Sequence, residues 1–184
     1  MTYKGKFEYS IPDSISSEMH ISWDILSSRL TPEQLMEWAK IGVDMVNEDV
    51  QSLDVVRQYF RSSPEVEAVM PFNYFVQWSK TGRELFKDSP ELAKSYFKES
   101  PRTMAILRSR HIEAWAMLGR KLHKSTWKST KLSTEFFSKS PLLLKFLTFH
   151  DLEQFVDFID LTSRRSYELA IEAVGSAHKV FSLL

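Results

Sequence analysis

Trp38-Ala39-Lys40-Ile41-Gly42, Trp78-Ser79-Lys80-Thr81-Gly82 and Trp115-Ala116-Met117-Leu118-Gly119 are three copies of one pattern, a tryptophan followed four residues later by glycine. Each copy leads to an aromatic pair, Tyr59-Phe60, Tyr96-Phe97 and Phe136-Phe137, and then to a Ser-Pro: Ser63-Pro64, Ser100-Pro101 and Ser140-Pro141. The tryptophans lie 40 and 37 residues apart and the prolines 37 and 40, so the second copy is three residues shorter between its Gly and its Ser-Pro. A period of this length is the signature of stacked supersecondary units. The missing three residues fall between two long helices or at their ends.

The local chemistry is helical. Leu35, Trp38, Ala39, Gly42, Met45 and Val46 follow the 3.6-residue period, and the stripe recurs as Phe75, Trp78, Gly82, Leu85, Phe86 and as Ile112, Trp115, Ala116, Gly119, Leu122. Thr31-Pro32-Glu33-Gln34 reads as an N-cap, a proline at the first helical position and a glutamine able to close a capping box. Ser89-Pro90-Glu91 opens a second helix in the same way, with Leu92, Ala93, Tyr96 and Phe97 on one face. The residue before a proline resists the α region. Each later Ser-Pro is therefore predicted to end this second helix and cap a short third one, over Pro101–Leu107 and Pro141–Leu147 in the later copies. A mid-helix glycine costs ~1 kcal/mol against alanine, and the expected reason for it is a close approach of the first helix to a neighbour opposite the bulky tryptophan.

Working outward, Phe155 takes the tryptophan position of a fourth copy and Ile159 the glycine position, while Ala177-His178 stands where its Ser-Pro would fall. Met19, Trp23, Leu26 and Leu30 are at helical spacing ahead of the first copy, as the tail of a preceding half-unit. The predicted fold is all-α, a helical repeat of α-solenoid type (armadillo/HEAT-like) forming one domain over 1–184. It divides into a tail and capping half-unit at 1–29, repeats at 30–69, 70–107 and 108–147, and a degenerate fourth repeat at 148–184. The chain closes on Val180-Phe181-Ser182-Leu183-Leu184, apolar where a terminal repeat is usually polar. That end is expected to meet a partner or to lead into further chain.

Composition agrees. Hydrophobic residues make up 43% and charged residues 26%, a globular balance, with only 5 glycines and 7 prolines. No cysteine occurs, which removes disulfides, thiolate metal sites and thiol nucleophiles together. No apolar run approaches the ~20 residues of a membrane span, and Met1–Lys6 leads into polar sequence without an apolar signal core. A cytoplasmic protein is the simplest expectation.

Catalytic signatures are missing. The histidines, His20, His111, His123, His150 and His178, form no His-Glu-x-x-His pattern and no pair four residues apart. Asp157 and Asp160 are spaced three apart without the third carboxylate of a magnesium cluster. Glycine-rich phosphate loops and Gly-x-Ser-x-Gly are absent. The aromatic pairs recur in register with the apolar stripe, which makes them core rather than a stacking surface. No catalytic residue, cofactor or metal site is expected, and the chain is read as a non-enzyme.

Net charge is formally zero but unevenly spread: residues 10–69 carry 11 acids and 4 bases, residues 79–145 carry 15 bases and 6 acids. Arg108, Arg110, Arg120, Lys121, Lys124, Lys128 and Lys131 surround the single acid Glu113 and form the one candidate partner-binding patch. A basic face of this kind suits phosphates, which keeps nucleic-acid binding around residues 108–131 as an alternative to protein binding. It also suits a solvated face whose charge the acidic half balances, and the pI near 7.0 favours that reading.

The pattern Trp-x-x-x-Gly, aromatic pair, Ser-Pro, repeated every 37–40 residues from about Leu30 onward, resembles the helical repeats that precede the von Willebrand factor A domain in bacterial CoxE/NorD-like proteins. The resemblance implies a non-catalytic scaffold that works with an AAA+ ATPase of the MoxR type. The Asp-x-Ser-x-Ser metal site of such an A domain is absent from this chain, so none of that domain's activity is implied.

Overall fold

The structure, a computed structural model, describes residues 12–125 and 129–183. Among these residues it is all-α, with no strand: α1 (Asp13–Leu26), α2 (Pro32–Glu48), α3 (Leu53–Glu67), α4 (Phe72–Asp88), α5 (Pro90–Met104), α6 (Ile112–Ser125), α7 (Ser129–Leu143), α8 (Phe149–Arg165) and α9 (Tyr167–Phe181). Even-numbered helices pack on the next even-numbered helix and odd-numbered on the next odd-numbered, which makes two layers. The even layer carries the tryptophan-glycine helices and the odd layer carries the aromatic pairs. Helix α1 packs on α3 and so belongs to the odd layer.

The caps form as their sequences dictate. Thr31 accepts from the Gln34 amide at 3.3 Å while its own N–H donates to Gln34 Oε1 at 2.9 Å. Ser89 accepts from the Leu92 amide at the head of α5. Between α2 and α3 the chain inserts a three-residue 3₁₀ turn, Val50–Ser52, held by the Asp49 carboxylate. Helix α4 passes to α5 through Ser89 alone, so this turn accounts for the missing three residues.

The expected third helix does not exist. Pro64, Pro101 and Pro141 lie inside α3, α5 and α7, within the last turn of each, and the helices run through them. Proline removes one bond to the carbonyl four residues back. The loss is tolerable here because only one turn remains and the chain supplies substitutes. The Phe60 carbonyl, which loses its partner to Pro64, accepts instead from Ser22 Oγ of α1 at 2.7 Å.

The serine before each proline has its own task. Trp38, Trp78 and Trp115 are completely buried, and a buried indole N–H needs an acceptor. Each donates to the serine of its own repeat: to Ser63 and Ser100 at 2.8 Å and to Ser140 at 2.9 Å. Each serine passes the bond on to the carbonyl four residues back, on Tyr59, Tyr96 and Phe136, at 2.6–2.8 Å. Ser-Pro is thus a polar plug for the tryptophan rather than a helix boundary.

The glycine does provide a close approach, and the group it admits is the second aromatic of the pair. A Cβ at Gly42, Gly82 or Gly119 would lie 2.1–2.3 Å from Cζ of Phe60, Phe97 or Phe137. Neighbouring repeats are then tied ring to ring, with Tyr59 stacked on Trp78 at 5.5 Å and Tyr96 tilted on Trp115 at 5.3 Å. In the fourth unit both partners change: Ile159 takes the glycine place and Val174 the phenylalanine place, and both are fully buried. Bulk moves from one helix to the other.

Candidate functional site

With tryptophans, aromatic pairs and serines consumed by the core, only the surface is left for function. The basic residues do not form one free patch. Arg120 forks onto both oxygens of Asp88 on α4, and Lys124 stands 3.7 Å from the same carboxylate. Lys121 reaches Asp157 on α8 at 2.6 Å. Arg108 and Arg110 are exposed at the 3₁₀ turn Ser109–His111, with Arg110 Nε 3.1 Å from His111 Nε2, and Lys131 is exposed on α7. Lys128 lies outside the described residues.

These pairs belong to a ladder running along the even layer. Arg83 of α4 meets Asp44 at 2.9 Å and Glu48 at 2.5 Å on α2, and Lys80 meets Glu37 at 3.1 Å. One repeat later Arg120 takes the place of Arg83, and Asp88 the place of Glu48. Part of the lopsided charge of the sequence is therefore acid on α2 and α4 answered by base on the next even-layer helix, and between α6 and α8 the order reverses, with Lys121 answered by Asp157. Burial works to raise the Asp88 carboxyl, but Arg120, Lys124 and His123 outweigh it and hold it below the usual aspartate range. The Asp88 bond in turn raises the Arg120 guanidinium. His123 is lowered, first by burial and then by Lys124, against the pull of Asp88. His111, stacked on Phe149 at 4.6 Å, is lowered by burial and by Arg110 and Arg108.

Asp157 and Asp160 do not converge: Asp157 serves Lys121, while Asp160 is buried and takes Arg164 at 2.9 Å. No group of three or more His, Asp and Glu side chains is placed to hold a metal among the described residues. None of their helices is long and apolar enough to cross a membrane. Surface grooves among the described residues include one of about 460 Å³ between α4 and α6 and another of about 350 Å³ between α5 and α7. The first is crossed by a bond from Gln77 to Glu113 at 2.5 Å.

A feature that sequence reading passed over is an apolar row at the turns leaving the odd layer. Val69, Ile106, Phe146 and Leu183 occupy one repeat position, each donating its N–H to the carbonyl three residues back, and each is exposed; the first three are 43–50% accessible. Isolated exposed hydrophobics are ordinary, but four in one register form a line. Their 37- and 40-residue spacing was available in the sequence. What the sequence lacked was the direction: the next residue in three of the turns, Met70, Leu107 and Leu147, is equally apolar and packs inward, as Leu30 does after α1. Arg108 and Arg110 flank this line beside Ile106.

Compared with protein-family models, curated proteins and solved structures, the chain matches none. Its reading rests on its own geometry.

Proposed function

We propose that this chain is a non-catalytic protein-interaction scaffold, working in the cytoplasm, whose partner lies along the turn edge. The observation that supports this reading is the row Val69, Ile106, Phe146 and Leu183, an exposed apolar side chain at one and the same repeat position in four successive units. Stacked helical units commonly use such a continuous edge for extended partners. Pairing of Arg120, Lys121 and Lys124 with carboxylates weighs against nucleic-acid binding, which would draw on those charges. The resemblance to CoxE/NorD-like repeats suggests an AAA+ ATPase of the MoxR type as the partner.

The test is quantitative binding of purified MoxR-type ATPase, and cross-linking in native extract, with wild type and a Val69→Ser, Ile106→Ser, Phe146→Ser triple variant. These side chains are outside the core, so the variant should keep its helical content and melting temperature. The expected result is a partner lost at least tenfold in the variant. A partner retained at full affinity by the variant, or duplex DNA bound at low salt with a steep salt dependence, would overturn the reading.

A further inference from the structure

Val69, Ile106 and Phe146 stand at interior turns. The helices they follow, α3, α5 and α7, are each packed on both sides by odd-layer neighbours, so this part of the row is exposed within the stack. Packed helices lie about 8–10 Å apart, which sets the step of the row. In a strand that step is about three residues, and an odd number puts successive side chains on opposite faces. A polyproline helix has a fitting pitch of about 9.3 Å. It docks on aromatic-lined grooves, however, and Phe146 is the one aromatic among the three. Seven residues of an α-helix rise about 10.5 Å and return a side chain to the same face. Crossing the row at about 20°, such a helix advances about 10 Å per step. Met70 and Leu107, the next residues after Val69 and Ile106, are buried, which leaves the row one side chain wide, the width of a helix ridge.

Charge along the row is uneven. Near Val69 stand Glu65, exposed, and Glu67, which takes Arg29. Near Ile106 and Phe146 stand Arg108, Arg110 and Lys145, all exposed and none in an ion pair with a carboxylate among the described residues. Arg110 turns instead to the ring of His111. The acids of the surrounding helix ends are engaged elsewhere. Glu99 meets Lys98 and Arg102, Glu113 accepts from Gln77, Asp151 bonds its cap Thr148, and Glu153 stands beside His150. Lys145 follows the C-terminal end of α7, where a cation is favoured, but Arg108 and Arg110 precede the N-terminus of α6, where the helix dipole disfavours it. Both arginines also push His111 down, after burial. Their charge therefore works against the fold at this turn.

We infer that the turn edge takes an amphipathic helix of another protein, with apolar residues at seven-residue intervals on Val69, Ile106 and Phe146 and carboxylates against Arg108, Arg110 and Lys145. The inference rests on the reading of this edge as a binding surface and adds the chemistry of its occupant. Glu65 and Glu67 confine the partner's carboxylates to the part of the helix that lies on Ile106 and Phe146.

The full chain is tested by fluorescence anisotropy with three labelled helical peptides of about three heptads each. The first has leucine once per heptad, with glutamates beside the second and third leucines. The second has lysines in place of those glutamates, and the third has the acidic composition with its leucines scattered around the helix. The first should bind at least fivefold more tightly than the second, the range of several partly exposed ion pairs, and the third at least tenfold more weakly than the first. On the Arg108→Glu, Arg110→Glu double variant the charge preference should reverse, with no fall in melting temperature. If the Val69→Ser, Ile106→Ser, Phe146→Ser variant binds the first peptide as wild type does, the edge is not a binding surface and both readings fall. If that variant loses the peptide but wild type does not discriminate charge or leucine spacing, the edge stands and the present inference is overturned. It is overturned equally if the first peptide does not bind at millimolar concentration, or if the double variant melts lower, since the arginines then serve the fold. Binding to vesicles of phosphatidylcholine and phosphatidylserine, abolished by the same substitutions, would assign the edge to a lipid surface and overturn it too.

Discussion

Replacing Gly82 by alanine adds one methyl group where α4 comes closest to α5. Its Cβ would sit 2.1 Å from Cζ and 2.2 Å from Cε1 of Phe97, against the ~3.5–4.0 Å of a normal carbon contact. Something must move by about 1.5 Å. The ring has nowhere to turn: it is fully buried, edge-on to Trp78 at 5.2 Å and 5.2 Å from Tyr59. Overpacking of this kind costs about 1–3 kcal/mol, and the severity of the overlap puts Gly82→Ala at the upper end. Alanine returns ~1 kcal/mol of helix propensity, leaving a net loss of about 1–2 kcal/mol. For a chain of this size that lowers the melting temperature by about 2–8 °C. Gly175→Ala in α9 is the matched control, because its Cβ would make an ordinary 3.7 Å contact with Glu135 Oε1. There the propensity gain survives, and stability should rise by about 0.5–1 kcal/mol. Urea and thermal denaturation followed by circular dichroism read both. Adding Phe97→Leu to Gly82→Ala should show favourable coupling in a double-mutant cycle, since the shorter side chain vacates the space the methyl group needs. If Gly82→Ala proves as stable as wild type, the notch does not explain the glycine and the reasoning fails.

Ser100→Ala should cost about 1–3 kcal/mol by leaving the Trp78 indole N–H buried without an acceptor, and urea titrations of this variant alone and combined with Trp78→Phe should show less than additive losses. Asp88→Asn addresses pH. The folded carboxyl is held below its unfolded value, so its contribution is complete above the ordinary aspartate range, ~3.9, and is lost as pH falls from there through the lowered folded value. Stability measured against pH should therefore fall less steeply on the acid side in Asp88→Asn than in wild type. Arg120→Glu, set against Asp88, should destabilise measurably in a thermal melt, while Arg108→Glu and Lys131→Glu should stay within ~0.5 kcal/mol of wild type. Equal effects from all three would contradict the ladder of ion pairs.

The candidate patch illustrates how far the sequence reaches. Seven bases around one acid look like a concentrated positive field when read along the chain. In three dimensions the acids that answer them come from helices 32 and 36 residues away, Asp88 and Asp157. Charge in a repeat protein is balanced between units, and a window along one unit does not see it. The turn edge was hidden for a related reason. Two adjacent apolar residues in a turn are chemically alike, and only the course of the backbone decides which one faces water.

The repeat itself was legible from the sequence, because period, apolar stripe and capping residues are local properties that each segment carries alone. The all-α repeat, the place of the three-residue difference between two long helices and the caps at Thr31 and Ser89 follow from them, whereas the expected short third helix does not form. Tertiary structure decided what the motif residues are for. A proline by itself signals a helix end, yet Pro64, Pro101 and Pro141 stay inside their helices. The serine before each proline accepts the hydrogen bond of the buried tryptophan of its own repeat. The glycine and the phenylalanine that fills its notch are likewise complementary only across two helices, 15 to 18 residues apart in the chain. Local propensity ranks the conformations open to each segment, and packing between segments chooses among them whenever a buried polar group or a close-packed ring is at stake.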